Sequence, residues 1–385
     1  MLFLTLGMRF QLTLSSIAIL PLLWMMGACS APDTTEEWLT TEHAGVYASL
    51  PAGVNAVPAT PFNKLFTRYG DGWTGGDAVY SVPLPDGRII WAFGDSFLDT
   101  VYPDRSRPPS PLIRNTMMLQ QGKNMTTLHG GTPDAPAAMV DTDDPDNEWY
   151  WPLDGTVQDD ILYMFYAYFI RTGGGAWDFQ YVRTELVAFQ LYDFSILWQE
   201  PVWEAPGIIF GVAIMETDEY TYIYSTDDEP WTKHAHCARV PAGDFLAPWE
   251  FYDGAGGWSS TFPGEAGWMT KGSGDFGVDV AASYSVFYHE GRYRLLTQEG
   301  FLGPDIHSYE SLEPYGPWKG KQLVYTTPEA GGTLFTYNAL LHPHITRPGS
   351  SAMLVSYCVN TNNFFELFSD ADVYRPYFFW LDYLD

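Results

Sequence analysis

The stretch GWTGGDAVYSVPLPDGRIIWAFGDSF, residues 72–97, decides how the chain is read. Two runs rich in β-branched and aromatic residues flank Pro85-Asp86-Gly87, a turn sequence, so the segment reads as a β-hairpin. Asp86 is its centre, and Asp77 and Asp95 stand at equal distances on either side (86 − 77 = 9 and 95 − 86 = 9). With a three-residue loop the two aspartates become directly opposed, with Cβ atoms about 5 Å apart; a one-residue bulge would loosen the match. Two unpaired carboxylates this close cannot both ionise easily, so one pKa should rise while its neighbour stays charged. Cleavage of a glycosidic bond needs that combination of one protonated acid and one carboxylate. Taken singly, each aspartate has a plainer reading: Asp77 after Gly75-Gly76 shapes a turn, and Asp95 in GDS caps a bend. Their joint placement favours function.

Four more hairpins follow the first. They are GTVQDDILYMFYAYFI (155–170), GVAIMETDEYTYIYS (211–225), SYSVFYHEGRYRLLTQ (283–298), and TYNALLHPHI with AMLVSYCV across RPGSS (336–359). Further short strands trail several of them, such as RNTMMLQQG, AHCARVPA and DIHSYESL. No long amphipathic helix interrupts the pattern. Hairpins repeating with extra strands at this spacing predict an all-β, five-bladed β-propeller in a single domain, residues 61–385. The closing DADVYRPYFFWLDY (370–383) is expected to supply the strand that joins the last blade to the first.

Composition agrees with a large packed core. The 385 residues are 46% hydrophobic and 17% aromatic, too apolar for a disordered chain. The 19 Lys and Arg against 47 Asp and Glu give a formal charge of −28, which repels polyanions and excludes nucleic acid as a partner.

Residues 1–29 read as a lipoprotein signal peptide. An apolar run, LTLSSIAILPLLWMMGAC, follows Arg9, and its MGAC ending resembles a bacterial lipobox with Met26 where Leu is usual. The resemblance implies lipidation of Cys29 and a lipid anchor as the only membrane contact, with the protein at the bacterial envelope, on the outer membrane or cell surface. Residues 30–60, polar and rich in Thr, Ala and Pro, suit a tether. Cys237 and Cys358 either pair or remain two buried thiols.

In a propeller the inner strand of each blade leaves one face and the second strand returns to it. The start of the first and the end of the second therefore share a face, where the candidate site is expected. Besides Asp77 and Asp95, the acids Asp154 (in WYWPLDG) and Glu299 (in LLTQEG) fall near it as candidate catalysts. Trp73 and Trp151 are candidate platforms for sugar rings. Asn115 is placed to orient a carboxylate, and Tyr337, Asn338 and His342 are candidate substrate contacts, although a lone His is more often structural. No metal or cofactor is called for; the acidic run DTDDPDNEW (141–149) has the charge for a structural Ca²⁺ ion but no recognised ligand pattern.

The stretches FNKLFTRYGDGWTGGDAVYSVPLPDGRIIWAFGDSF, WYWPLDGTV, GGAWDF, RVPAGDF, TYNALLHP and DADVYRPYF resemble the DUF5005-type exported bacterial domains. More distantly, GDSF (94–97) is similar to the GDTF of DUF4185-type domains, which include five-bladed propeller glycoside hydrolases. The resemblance implies a five-bladed propeller and action on a polysaccharide or oligosaccharide, with acid catalysts at the central face. It supplies no catalytic pair; Asp77 and Asp95 come from hairpin register. The alternatives are a glycan-binding lipoprotein without catalysis, using Trp73, Trp149, Trp151 and Tyr337 as platforms, and a scaffold for other envelope proteins.

Overall fold

A computed structural model describes residues 53–384 except 176, 229–232, 270–277 and 301. Cys29 and the leader lie outside the described residues.

The five hairpins form as the sequence indicates, and each is the inner pair of a blade. Blade one is β2 (Gly75–Pro83), β3 (Ile89–Phe97), β4 (Thr116–Gln121) and β5 (Asn124–Leu128). A small ribbon, β6 (Gly130–Thr132) with β7 (Ala135–Ala137), leads to blade two: β8 (Glu148–Gln158), β9 (Ile161–Arg171), β10 (Phe179–Gln190) and β11 (Ile196–Trp203). Blade three is β12 (Ile208–Glu216), β13 (Tyr220–Asp227), β14 (Cys237–Pro241), β15 (Glu250–Tyr252) and β16 (Trp258–Ser259). Blade four is β17 (Tyr284–His289), β18 (Arg292–Gln298), β19 (Asp305–Ser311) and β20 (Lys319–Thr326).

Blade five combines both ends of the chain. Its inner strands β21 (Leu334–Thr346) and β22 (Met353–Thr361) are followed by β23 (Pro376–Tyr383), and its outer edge is β1 (Val54–Pro58), antiparallel to β23 from Val54↔Tyr383 to Pro58↔Phe379. The terminal DADVYRPYFFWLDY is thus a third strand inside blade five, and the N-terminal strand closes the ring. β1 falls within the stretch read as a tether, so the propeller starts at Val54 rather than at residue 61. Its VNAVP alternates, with Val54 and Ala56 buried, a two-residue period too short to stand out from its polar surroundings.

The inner strands β2, β8, β12, β17 and β21 each lie against the next, and β21 against β2, so they surround a common axis. Aromatic side chains fill the wedges between blades. Phe66, Trp91 and Phe378 pack between blades one and five, and Trp203, Phe210 and Phe251 between blades two and three. Burying such rings, with their large apolar area, is what a radial fold with few helices relies on. Cys237 and Cys358 are buried free thiols.

Candidate active site

The register of the first hairpin runs as its turn dictates, Pro83↔Ile89 to Tyr80↔Ala92, and is recovered at the far end as Gly76↔Ser96 and Gly75↔Phe97. Between these ladders two irregularities cancel. Val79 is an extra residue on β2, and one extra residue stands on β3 between Phe93 and Ser96. Ala78 and Val79 take φ of 70° and 66°, a left-handed conformation unusual for non-glycine residues and especially for a β-branched one, costing about 1–3 kcal/mol each. Asp77 and Asp95 are therefore not the directly opposed pair that the turn alone predicts. The distortion carries the Asp77 carboxylate over Gly94, where a methyl group in place of hydrogen would sit 2.6 Å from Oδ1.

Blade five and the loop before β23 reach across to Asp77. The Tyr337 hydroxyl donates to its Oδ2 at 2.7 Å and itself accepts from Asn360 Nδ2 at 3.2 Å. Tyr374 bonds to the same carboxylate and donates to the Asp95 carbonyl at 3.1 Å. Asp95 faces the other way. Arg114 Nη1 lies 3.0 Å from its Oδ2, and Trp151 Nε1 donates to its Oδ1 at 2.9 Å. Arg114 is held over the Trp149 ring, 4.4 Å from its centroid.

These surroundings separate the two acids electrostatically. Burial and then the neighbouring Asp95 charge push Asp77 up to about 7, only partly offset by the tyrosine hydroxyls. Asp95 is also raised by burial, but Arg114 and Trp151 favour its ionised form. Of the two, Asp77 is therefore the favoured holder of the proton and Asp95 of the negative charge.

Asp154 has a different setting. It lies in a bulge of β8 between Pro152 and Gly155, accepts from Gly155 N at 2.9 Å and, across the blade boundary, from Ile214 N at 2.8 Å. Burial raises it to about 7. Its bond to Ile214 stitches blade two to blade three, and its charge helps to raise Tyr80. Glu299 is exposed beside a small cavity of about 70 Å³ shared with Asp279, His307 and Lys321 in blade four, and among the described residues it makes no hydrogen bond to either member of the pair.

Three candidates change role. Trp73 is fully buried against Phe66 and Phe93; it is a core residue and not a sugar platform. Asn115 does not orient a carboxylate: its Nδ2 donates to Val140 O and Tyr150 O, and its Oδ1 accepts from Val140 N, tying blade one to blade two. His342 is buried between Ser81 Oγ at 2.5 Å and Ser356 Oγ at 2.9 Å, and burial drives its pKa well below the ordinary value, making it a neutral strut instead of a substrate contact. Asn338, at φ 53° in the bulge of β21, is half-buried beside Tyr337.

Sequence reading missed Arg114 and Tyr374. Arg114 immediately precedes the candidate Asn115, and a cation was to be expected beside paired acids in a chain with 19 basic residues among 47 acidic ones. Tyr374 carried no signal, because the long connection that delivers it has no regular period.

The fold and this asymmetric acid pair define a five-bladed β-propeller with a paired-carboxylate centre on one face. The chain belongs to the family described as Domain of unknown function (DUF5005), whose profile matches residues 59–382. Among solved structures it is similar to a protein of Bacteroides ovatus provisionally described as a hydrolase, with 24% identity over 91% of this chain and 96% of that one and a TM-score of 0.74, which shows a shared fold. Glycoside hydrolases match more loosely. A GH43_1 enzyme from Xanthomonas citri complexed with xylotriose has 13% identity over 86% of this chain and 91% of that one, TM-score 0.46. A GH32 β-fructofuranosidase from Bombyx mori in complex with sucrose has 13% identity over 80% and 61%, TM-score 0.47. No curated protein sequence matches.

Proposed function

We propose that this protein is an exported glycoside hydrolase that cuts an uncharged extracellular polysaccharide, with Asp77 as general acid and Asp95 as general base or nucleophile. The observation that carries this reading is the unequal pair: one half-buried carboxyl raised to about 7 and hydrogen-bonded by tyrosines, beside one held ionised by Arg114. Asp77 would give its proton to the departing glycosidic oxygen while Asp95 takes a proton from the attacking water, the two carboxyls then exchanging that proton with solvent. With Asp95 as nucleophile, it would instead form a glycosyl ester, which water cleaves as Asp77 takes back a proton and Asp95 leaves as the carboxylate. The charge of −28 favours a neutral glycan over a uronate. Lipidation of Cys29 would hold the enzyme at the envelope.

Glycan binding without catalysis is the weaker reading. Trp73 and Trp149 are buried in the core, and Trp151 and Tyr337 direct their polar edges at the acids, so the side chains that would have served as platforms serve the pair instead.

The test is release of reducing ends from a panel of neutral polysaccharides. Asp77→Asn and Asp95→Asn should each lower the rate by about 10²-fold or more. Variants as fast as the wild type would sink the assignment.

A further inference from the structure

Two exposed aromatic groups stand on either side of the acid pair. In blades five, one and two the connection between the second and third strands lies on the face that carries Asp77 and Asp95. In blade two this loop, 172–178, presents Trp177, which is 71% exposed. A file of rings leads inward from it: Trp177 to Phe179 at 6.3 Å between centroids, Phe179 to Trp151 at 5.3 Å, and then the Trp151 indole to Asp95. In blade five the loop 362–375 presents Phe365, 80% exposed, and Phe364, 56% exposed. Here too rings lead inward, from Phe364 to Phe368 at 5.5 Å and on to Phe97 at 5.9 Å, two residues beyond Asp95.

Both loops are braced. Thr172 N donates to Asp178 O and Gly175 N to Asp178 Oδ2 in the first; in the second, Arg107 N donates to Phe368 O and Ala371 N to Arg105 O. Large rings exposed to water forgo the burial that aromatic side chains ordinarily gain, and a ligand with an apolar face of matching size would restore it. A sugar ring offers one, a C–H face with hydroxyls around its rim. The rings of Phe179 and Trp151 stand between Trp177 and Asp95, which sets Trp177 back from the acids.

We infer that Trp177 and Phe365 are distal sugar-binding positions on opposite sides of the acid pair, and that the ligand is a stretch of uncharged polysaccharide lying across blades two, one and five. This inference rests on the proposed hydrolase reading for the direction of the chain past Asp77 and Asp95, and on the acidic surface for the neutrality of the sugar.

Retardation of the intact protein in native gels containing arabinoxylan, galactomannan, β-glucan or polygalacturonate tests it. At least one neutral polymer should retard the wild type. Trp177→Ala and Phe365→Ala should each weaken that retardation about 3- to 10-fold, while leaving cleavage of short p-nitrophenyl glycosides unchanged. Both positions are exposed, so folding is expected to survive, and unchanged elution volume and melting temperature verify it. Unaltered retardation in both variants, retardation by polygalacturonate alone, or variants that only change self-association would overturn the inference. Loss of short-glycoside cleavage in the acid-pair variants is read separately, so failure of the catalytic assignment and failure of the distal positions give different results.

Discussion

Gly94 lies directly beneath the Asp77 carboxylate, with room for hydrogen and no more: a Cβ there would be 2.6 Å from Oδ1. Gly94→Ala should therefore fold, since the carboxylate is the far end of a side chain and can swing away, but the swing breaks its bond to Tyr337. We expect hydrolysis to fall about 10²-fold with a melting temperature within a few degrees of wild type. Equal rates would show that Asp77 needs no fixed position.

The proton on Asp77 is open to direct observation. With ¹³C-labelled aspartate, two side-chain carboxyl resonances, those of Asp77 and Asp154, should titrate near pH 7, and one of them should vanish in Asp77→Asn. In Asp95→Asn that titration should move down, because the neighbouring charge is gone, yet stay above the ordinary aspartate range, because burial remains the larger cause. Arg114→Gln should push the Asp95 titration upward instead. A spectrum in which Asp77→Asn removes no titration near 7 would take away the basis for Asp77 as the acid.

Stability should carry the same signature. From about pH 4 to 7 the folded chain holds a proton on Asp77 that the unfolded chain, titrating at 3.8, has released, so stability falls as pH rises through that window. Asp77→Asn removes the effect, and its melting temperature relative to wild type should be about 2–4 °C more favourable at pH 8 than at pH 5. Thermal scans at the two pH values decide it; a variant that loses ground at pH 8 contradicts the raised pKa.

Asp154 should behave as a structural acid. Asp154→Ala leaves the Gly155 and Ile214 N–H groups without their acceptor, for a loss of about 1–3 kcal/mol at pH 5 by denaturant unfolding. The resonance of Asp77 should titrate as in the wild type. A displaced Asp77 titration would mean that Asp154 belongs to the catalytic group after all.

How far the sequence reaches is clearest in the first hairpin. Pro85-Asp86-Gly87 set the register, and Gly76↔Ser96 preserves it, so that Asp77 and Asp95 lie at the same level of the hairpin was legible from counting, whereas the direct opposition it implied is not what forms. The two cancelling bulges were not. They leave the count unchanged, and neither Ala78 nor Val79 advertises a left-handed backbone. Partners brought in by distant loops were equally silent: Arg114 lies 19 residues from Asp95, and Tyr374 lies 279. Trp73 was misjudged because a Trp near two acids looks the same in sequence whether its ring faces solvent or, as here, Phe66 and Phe93. The aromatic richness that indicated a large core also hid which rings belong to it.

The pairing of β1 with β23 sets the order of events when this protein folds. Val54 is made long before its partner Tyr383, 383 − 54 = 329 residues further along the chain. Blades one to four draw on neighbouring sequence and can form as the chain lengthens, whereas the outer edge of blade five must wait for β23. Closure across so long a separation is slow compared with local hairpins. Until it happens, the unpaired backbone of β1 and the free edge of β23 invite pairing with another chain. Completion of the ring, more than formation of any single blade, is thus the step at which this fold is most exposed to misassembly.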